Sequence, residues 1–127
     1  MPTILVIDDE EEIRSVVKHH LVKANYEVIE ADSGEMAIQK INEGDNSLTV
    51  DAAIFDIRMP KIDGTEAINY FQKEYPTLPL IVMTGFADTQ LAVGFLKNGI
   101  KDYLVKPVEK DSLLAAVNKA VLERCQS

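Results

Sequence analysis

Short apolar runs alternate along the chain with stretches whose apolar residues recur every three or four positions. The runs are Thr3 to Ile7, Tyr26 to Ala31, Val50 to Phe55, Pro79 to Met83 and Tyr103 to Val105. Each is too short for a helix and rich in β-branched or aromatic residues, so each predicts a strand. Between them, Ile13, Val16, Val17 and Leu21 line one side of a helix ending near Asn25. Met36, Ala37 and Ile41 mark a second helix over Ser33 to Glu43, with Gly44 as its stop, and a third runs from Gly64 to Tyr75 against the breaker Pro76. Leu91, Ala92, Phe95 and Leu96 mark a fourth, closed by Asn98-Gly99, a pair suited to a left-handed cap. Leu113, Leu114, Val117 and Val121 mark the last, and the polar stretch through Asn46 reads as a loop. No repeat, low-complexity tract or linker interrupts the series, so residues 1–127 read as one domain.

Strands that alternate with helices and are apolar throughout predict an α/β fold, a parallel sheet covered by helices on both faces. In such sheets ligands bind beyond the carboxyl ends of the strands. The polar residues at those ends are Asp8 and Asp9, Asp56, Thr84 and Lys106. Carboxylates brought to one place repel, and a divalent cation between them relieves that cost. Mg²⁺ suits a few carboxylates, waters and a phosphate oxygen. A lysine and a threonine hydroxyl complete the parts that phosphoryl transfer to a carboxylate uses.

Taken singly, these residues have plainer readings. Asp9 with Glu12 forms a capping-box pattern for the first helix. Asp56 could simply open a loop, Thr84 close a strand and Lys106 lie on a solvated rim. The joint arrangement at one sheet edge is what those readings explain poorly. His19 and His20 are adjacent, about 100° apart on a helix, and read as surface residues. Met59 and Met83 read as packing, and Phe86 as either loop packing or a cover for the site.

Charge narrows the function classes. The 127 residues carry 13 basic and 21 acidic side chains, a net charge of −8, with no basic cluster. Direct nucleic-acid binding is therefore not expected. Apolar runs of four or five residues predict no membrane span, and the N-terminus has no signal-peptide pattern. A single cysteine, Cys125, suits a reducing, cytoplasmic setting.

The segments Ile4-Leu5-Val6-Ile7-Asp8-Asp9-Glu10, Ile54-Phe55-Asp56-Ile57-Arg58-Met59-Pro60-Lys61-Ile62-Asp63-Gly64, Ile81-Val82-Met83-Thr84-Gly85 and Asp102-Tyr103-Leu104-Val105-Lys106-Pro107 resemble the response regulator receiver family of two-component signalling. The resemblance covers essentially the whole chain, in order. It implies a doubly wound, flavodoxin-like fold of five parallel strands in order 2-1-3-4-5 with five helices. It further implies that Asp56 accepts a phosphoryl group from a phosphohistidine of a sensor histidine kinase or histidine phosphotransfer protein. Asp9 and Asp56 would ligate Mg²⁺ (or Mn²⁺) directly with the backbone carbonyl of Arg58, and Asp8 would act mainly through water. Thr84 and Lys106 would contact the phosphoryl oxygens, and the bond before Pro107 would be cis. Thr84 and Tyr103 would form the switch, Tyr103 swinging inward to alter the face made by the fourth helix, fifth strand and last helix.

Arg58 and Phe86 flank the expected phosphoryl position and would set its lifetime by restricting water. Gly94, costing about 1 kcal/mol relative to Ala inside the fourth helix, would let that helix adopt two arrangements. The output would be a downstream effector protein or domain, with a phosphorylation-dependent homodimer as a further form. The chain would catalyse only its own phosphorylation and dephosphorylation, and so is not expected to be an enzyme in the ordinary sense. Departures from the family pattern are Ile100, Glu109 and extra polar residues near Asn46; none touches the phosphorylation set.

Three rivals were weighed. A flavin or nucleotide binder needs donors after the first strand, where this chain has the anionic run Asp8 to Glu12. An aspartyl phosphatase needs a second Asp two residues after the nucleophile, where this chain has Arg58. A degenerate receiver, serving only for interaction, would not need the full set of five residues.

Overall fold

The apolar runs become a parallel sheet in the computed structural model, which describes residues 1–56, 63–85, 94 and 96–126. Its strands are β1 (Thr3–Ile7), β2 (Glu27–Ala31), β3 (Val50–Asp56), β4 (Leu80–Thr84) and β5 (Asp102–Val105). They lie in the order β2-β1-β3-β4-β5, as the family resemblance implied. Five helices are described: α1 (Glu11–Lys23), α2 (Gly34–Ile41), α3 (Asn46–Thr49), α4 (Asp63–Glu74) and α5 (Lys110–Gln126). None of the described helices is long and apolar enough to cross a membrane.

Successive strand residues point to opposite faces, so an unbroken apolar strand feeds two cores. Leu5, Ile7, Ala53, Phe55, Leu80 and Val82 pack with Ala37 and Ile41 of α2 and with Ala67, Ile68 and Phe71 of α4. The alternate set, Ile4, Val6, Ala52, Ile54, Ile81 and Met83, packs with Val17 and Leu21 of α1 and with Leu113, Val117 and Ala120 of α5. This double burial holds the strands in register and brings their carboxyl ends to one edge, with Ile7 beside Phe55, Asp56 beside Met83 and Thr84 beside Val105.

Local structure departs from the sequence reading in three places. Asp9 does not cap α1: the cap position is Glu10, with no side-chain capping bond. Asp8 reaches forward instead, its Oδ1 accepting the Glu10 N–H at 2.8 Å, a local turn that competes with a helix cap. The polar stretch at Asn46 is not wholly loop. It folds into the single turn α3, where Asn46 Nδ2 donates to the Lys40 carbonyl at 2.7 Å after a turn at Gly44 with φ of +50°. The predicted second helix ends earlier, at Ile41, although its Ser33 cap is present and accepts the Met36 N–H at 3.1 Å.

Of the predicted fourth helix, Leu91, Ala92 and Phe95 lie outside the described residues. Gly94, Leu96 and Lys97 are helical, and Gly99 follows in the left-handed region with φ of +94°. A Cβ built at Gly94 meets no described atom within 4 Å. Ile100 is buried in the α2 and α4 core. His19 is exposed and His20 half-buried on α1, in accord with the surface reading.

Phe71 is the hub of one core. It is wholly buried and meets Phe55, Tyr70 and Tyr75 with ring centroids 5.2, 6.0 and 6.0 Å away. Phe71→Ala should cost about 3–5 kcal/mol of stability by deleting this centre and leaving a cavity. Urea unfolding measures it; a loss below about 1 kcal/mol would mean that the surrounding rings collapse into the space.

Candidate functional site

β1 delivers Asp8, β3 delivers Asp56, β4 delivers Thr84 and β5 leads into Lys106 at the carboxyl edge of the sheet. Asp8 and Asp56 are wholly buried and Thr84 is nearly so. The backbone of Asp8 is fixed on both sides. Its N–H donates to the Ala31 carbonyl at 3.1 Å, and its own carbonyl accepts from Arg14 Nη1 at 2.6 Å. Lys106 is tied to β4 through its N–H, which donates to the Thr84 carbonyl at 2.7 Å. The bond from Lys106 to Pro107 is cis, as expected.

The Lys106 ammonium lies among carboxylates. It donates to Asp56 Oδ2 at 2.9 Å and sits 3.2 Å from Asp8 Oδ2 and 3.6 Å from Glu10 Oε1. Burial alone would lower the lysine pKa, but the hydrogen bond and charge of Asp56, with the charge of Asp8, outweigh it and raise the pKa. Asp8 moves the other way for an acid. Burial pushes its pKa up to about 6, and the Asp56 charge adds to that; the Glu10 N–H and Lys106 oppose but do not cancel it.

Asp9 is exposed on the loop, yet it can contribute an oxygen to the same place. Ligand atoms of Asp8, Asp9, Glu10 and Asp56 all lie within 4.8 Å of one another. The donor set is oxygen only, and among the described residues one ammonium, that of Lys106, lies among these carboxylates. Asp8 Oδ2 is buried and accepts no hydrogen bond among the described residues, its contact with Lys106 falling outside hydrogen-bonding geometry. Such a set fits a hard divalent cation such as Mg²⁺.

Five sequence-predicted residues, Asp8, Asp9, Asp56, Thr84 and Lys106, therefore meet at one edge. Arg58 and Phe86 lie outside the described residues. Tyr103 stands apart from the cluster, half-buried on β5 opposite Val82 and packed against the α2 and α4 core. Two residues escaped the sequence reading. Glu10 belongs to the carboxylate cluster, and the unbroken acidic run after β1 was its signal. Arg14 binds the Asp8 carbonyl, and nothing in its spacing announces that.

A doubly wound parallel sheet with buried aspartates, a hydroxyl and a lysine on its carboxyl edge belongs to the α/β folds whose ligands bind at the strand ends. The comparisons make the class specific. Residues 4–118 match the family model of the response regulator receiver domain. The chain is 33% identical over 117 residues to the chemotaxis protein CheY of Thermotoga maritima, covering 91% of this chain and 94% of that protein. It is 32% identical over 118 residues to the transcriptional regulatory protein ZraR of Escherichia coli, covering 93% of this chain and 26% of ZraR. The crystal structure of a receiver domain protein from Clostridium thermocellum superposes with a TM-score of 0.89 at 32% identity, covering 99% of this chain and 98% of that one. The chain belongs to the response regulator receiver family, whose members are phosphorylation-dependent signalling switches. It spans about a quarter of the ZraR and NtrC relatives and nearly the whole of the CheY relatives.

The raised pKa of Asp8 has a thermodynamic consequence. The folded chain binds the Asp8 proton more tightly than the unfolded chain does, between the ordinary value of 3.8 and about 6. Stability of the ion-free protein attributable to Asp8 is therefore present at low pH and declines as pH rises through that window. Glu30 contributes with the opposite sign, because its bonds to Lys18 and Arg14 outweigh burial and lower its pKa. Asp8→Asn should remove the Asp8 decline and leave the rest, which urea unfolding at closely spaced pH values resolves. The same pH slope in the variant would assign the decline to another group.

Proposed function

We propose that Asp56 is the phosphoacceptor of this receiver, taking a phosphoryl group from a phosphohistidine of a sensor kinase or phosphotransfer protein. The observation that carries the reading is the Lys106 ammonium, 2.9 Å from one buried carboxylate and 3.2 Å from a second. An oxygen of Asp56 attacks phosphorus, the bond from phosphorus to the donor nitrogen breaks, and the acyl phosphate stays on Asp56. Asp8, Asp9 and Asp56 hold Mg²⁺, with the Arg58 carbonyl as a further ligand by family resemblance. Bound there, the ion supplies charge neutralisation for phosphoryl oxygens and acidic side chains alike.

The protein groups do the rest. Lys106 transfers its contacts from carboxylate to phosphoryl oxygen, and the Thr84 hydroxyl donates to another. Thr84 shifts toward the phosphate and Tyr103 turns inward, which changes the surface made by β5, α5 and the helix containing Gly94. Phosphate adds roughly −1.5 to −2 charges in a closed pocket, enough to bias two arrangements close in free energy. Arg58 and Phe86 restrict the water that ends the signal. The chain acts in the cytoplasm as a switch for an effector protein or domain, and it turns over no substrate beyond its own acyl phosphate.

With acetyl phosphate or phosphoramidate and Mg²⁺, intact mass should rise by ~80 Da, one phosphoryl group, and Asp56→Asn should abolish the rise. On beryllofluoride addition, backbone shifts should spread from the pocket to Lys97, Tyr103 and α5. Undiminished phosphorylation of Asp56→Asn would sink the acceptor assignment, and perturbations confined to the strand ends would sink the switch.

A further inference from the structure

The Asp8 carbonyl is bonded by a side chain that arrives from α1, and that side chain is anchored in turn. Arg14 Nη1 donates to the carbonyl at 2.6 Å while its Nε donates to Glu30 Oε1 of β2 at 3.1 Å. The other Glu30 oxygen accepts from Lys18 at 3.0 Å. The Arg14 side chain is mostly covered, 15% exposed, so its fork is held rather than waving in solvent. The next residue of β2, Ala31, accepts the Asp8 N–H at 3.1 Å. Edge strand and first helix thus grip the two peptide groups that flank the Asp8 Cα, and Asp8 Oδ1 is spent on the Glu10 N–H.

We propose that Arg14, anchored by Glu30, is a positioning residue for the cation site: it fixes the Asp8 peptide so that Asp8 Oδ2 and the following Asp9 are presented to the ion. The inference rests on the metal-site reading above and adds a residue outside the carboxylate cluster to it. A guanidinium suits the task because its planar fork reaches a carbonyl and a carboxylate at once, which an ammonium does with less fixed geometry. Its charge lies close to the acidic loop and eases the crowding of carboxylates. That charge is shared with any cation, whereas the geometry is particular to arginine. The lowered pKa of Glu30, where the Lys18 and Arg14 bonds outweigh burial, keeps the anchor ionised over the working range.

Outer partners of metal ligands commonly set affinity by about 10-fold or more. Mg²⁺ titration calorimetry on the intact chain, with amide shifts of Asp8, Asp9 and Glu10 followed in parallel, tests the role. Arg14→Met should weaken Mg²⁺ by about 10-fold and shift those amides in the ion-free protein. Arg14→Lys should recover only part of the affinity, and Lys18→Met, which spares the Asp8 carbonyl, should change it less than about 2-fold. Mg²⁺ affinity of Arg14→Met within about 2-fold of wild type would overturn the proposal. So would full recovery in Arg14→Lys, which would assign the effect to charge alone. If Arg14→Met does not fold, Glu30→Ala removes the anchor and is read by the same titration: weakened binding supports the brace, and unchanged binding overturns it. Failure of the wild-type chain to bind Mg²⁺ at all would be a failure of the metal-site reading, and is distinguishable because it needs no variant.

Discussion

Three carboxylates around one buried ammonium make the interaction on which the rest of this molecule depends. Lys106 lies within 3.6 Å of oxygens from Asp56, Asp8 and Glu10, and its side chain is only 8% exposed. Removing one partner from a buried ion pair is costly because the other is left uncompensated. The cluster is therefore poised for exchange: whatever replaces the ammonium must bring positive charge, and whatever draws the ammonium away must be an anion. On the proposed function, a divalent cation does the first and a phosphoryl group the second.

That cluster exists because the fold brings its parts to one edge. The apolar central strands β1, β3 and β4 bury both faces, which fixes register, and register puts the residues that follow Ile7, Phe55, Met83 and Val105 side by side. Their polar side chains sit where the strands stop and apolar partners run out. β4 and β5 meet again through the bond from Lys106 N–H to the Thr84 carbonyl, which links the lysine to the hydroxyl-bearing strand end. The proposed shift of Thr84 would therefore reach β5 through the backbone, and Tyr103 lies three residues before Lys106.

Much of this was legible in the sequence because it depends on short-range rules. Apolar runs closed by polar residues named all five strands, and topology alone placed Asp8, Asp56, Thr84 and Lys106 on one edge. Helix ends at Ser33, Asn25 and Gly99 followed from capping chemistry. What was not legible depends on reach through space. Asp9 and Glu12 looked like a capping box, but Asp8 takes the Glu10 N–H and α1 starts without a side-chain cap. Glu10 stands in the acidic run with no sign of its own role, since only the fold shows that its carboxylate meets Lys106. Arg14 had no signal at all, because its partners are a carbonyl six residues back and a carboxylate on the next strand.

If Lys106 holds the place of the incoming cation, the two compete for the same oxygens. The most direct measurement is Mg²⁺ affinity of Lys106→Met against wild type by calorimetry at about pH 8, above the raised titration of Asp8. Removing the ammonium should make Mg²⁺ bind severalfold more tightly, even as phosphorylation of Asp56 becomes slower. Unchanged or weaker Mg²⁺ binding in Lys106→Met would contradict the competition and with it the reading of the cluster as a site of exchange.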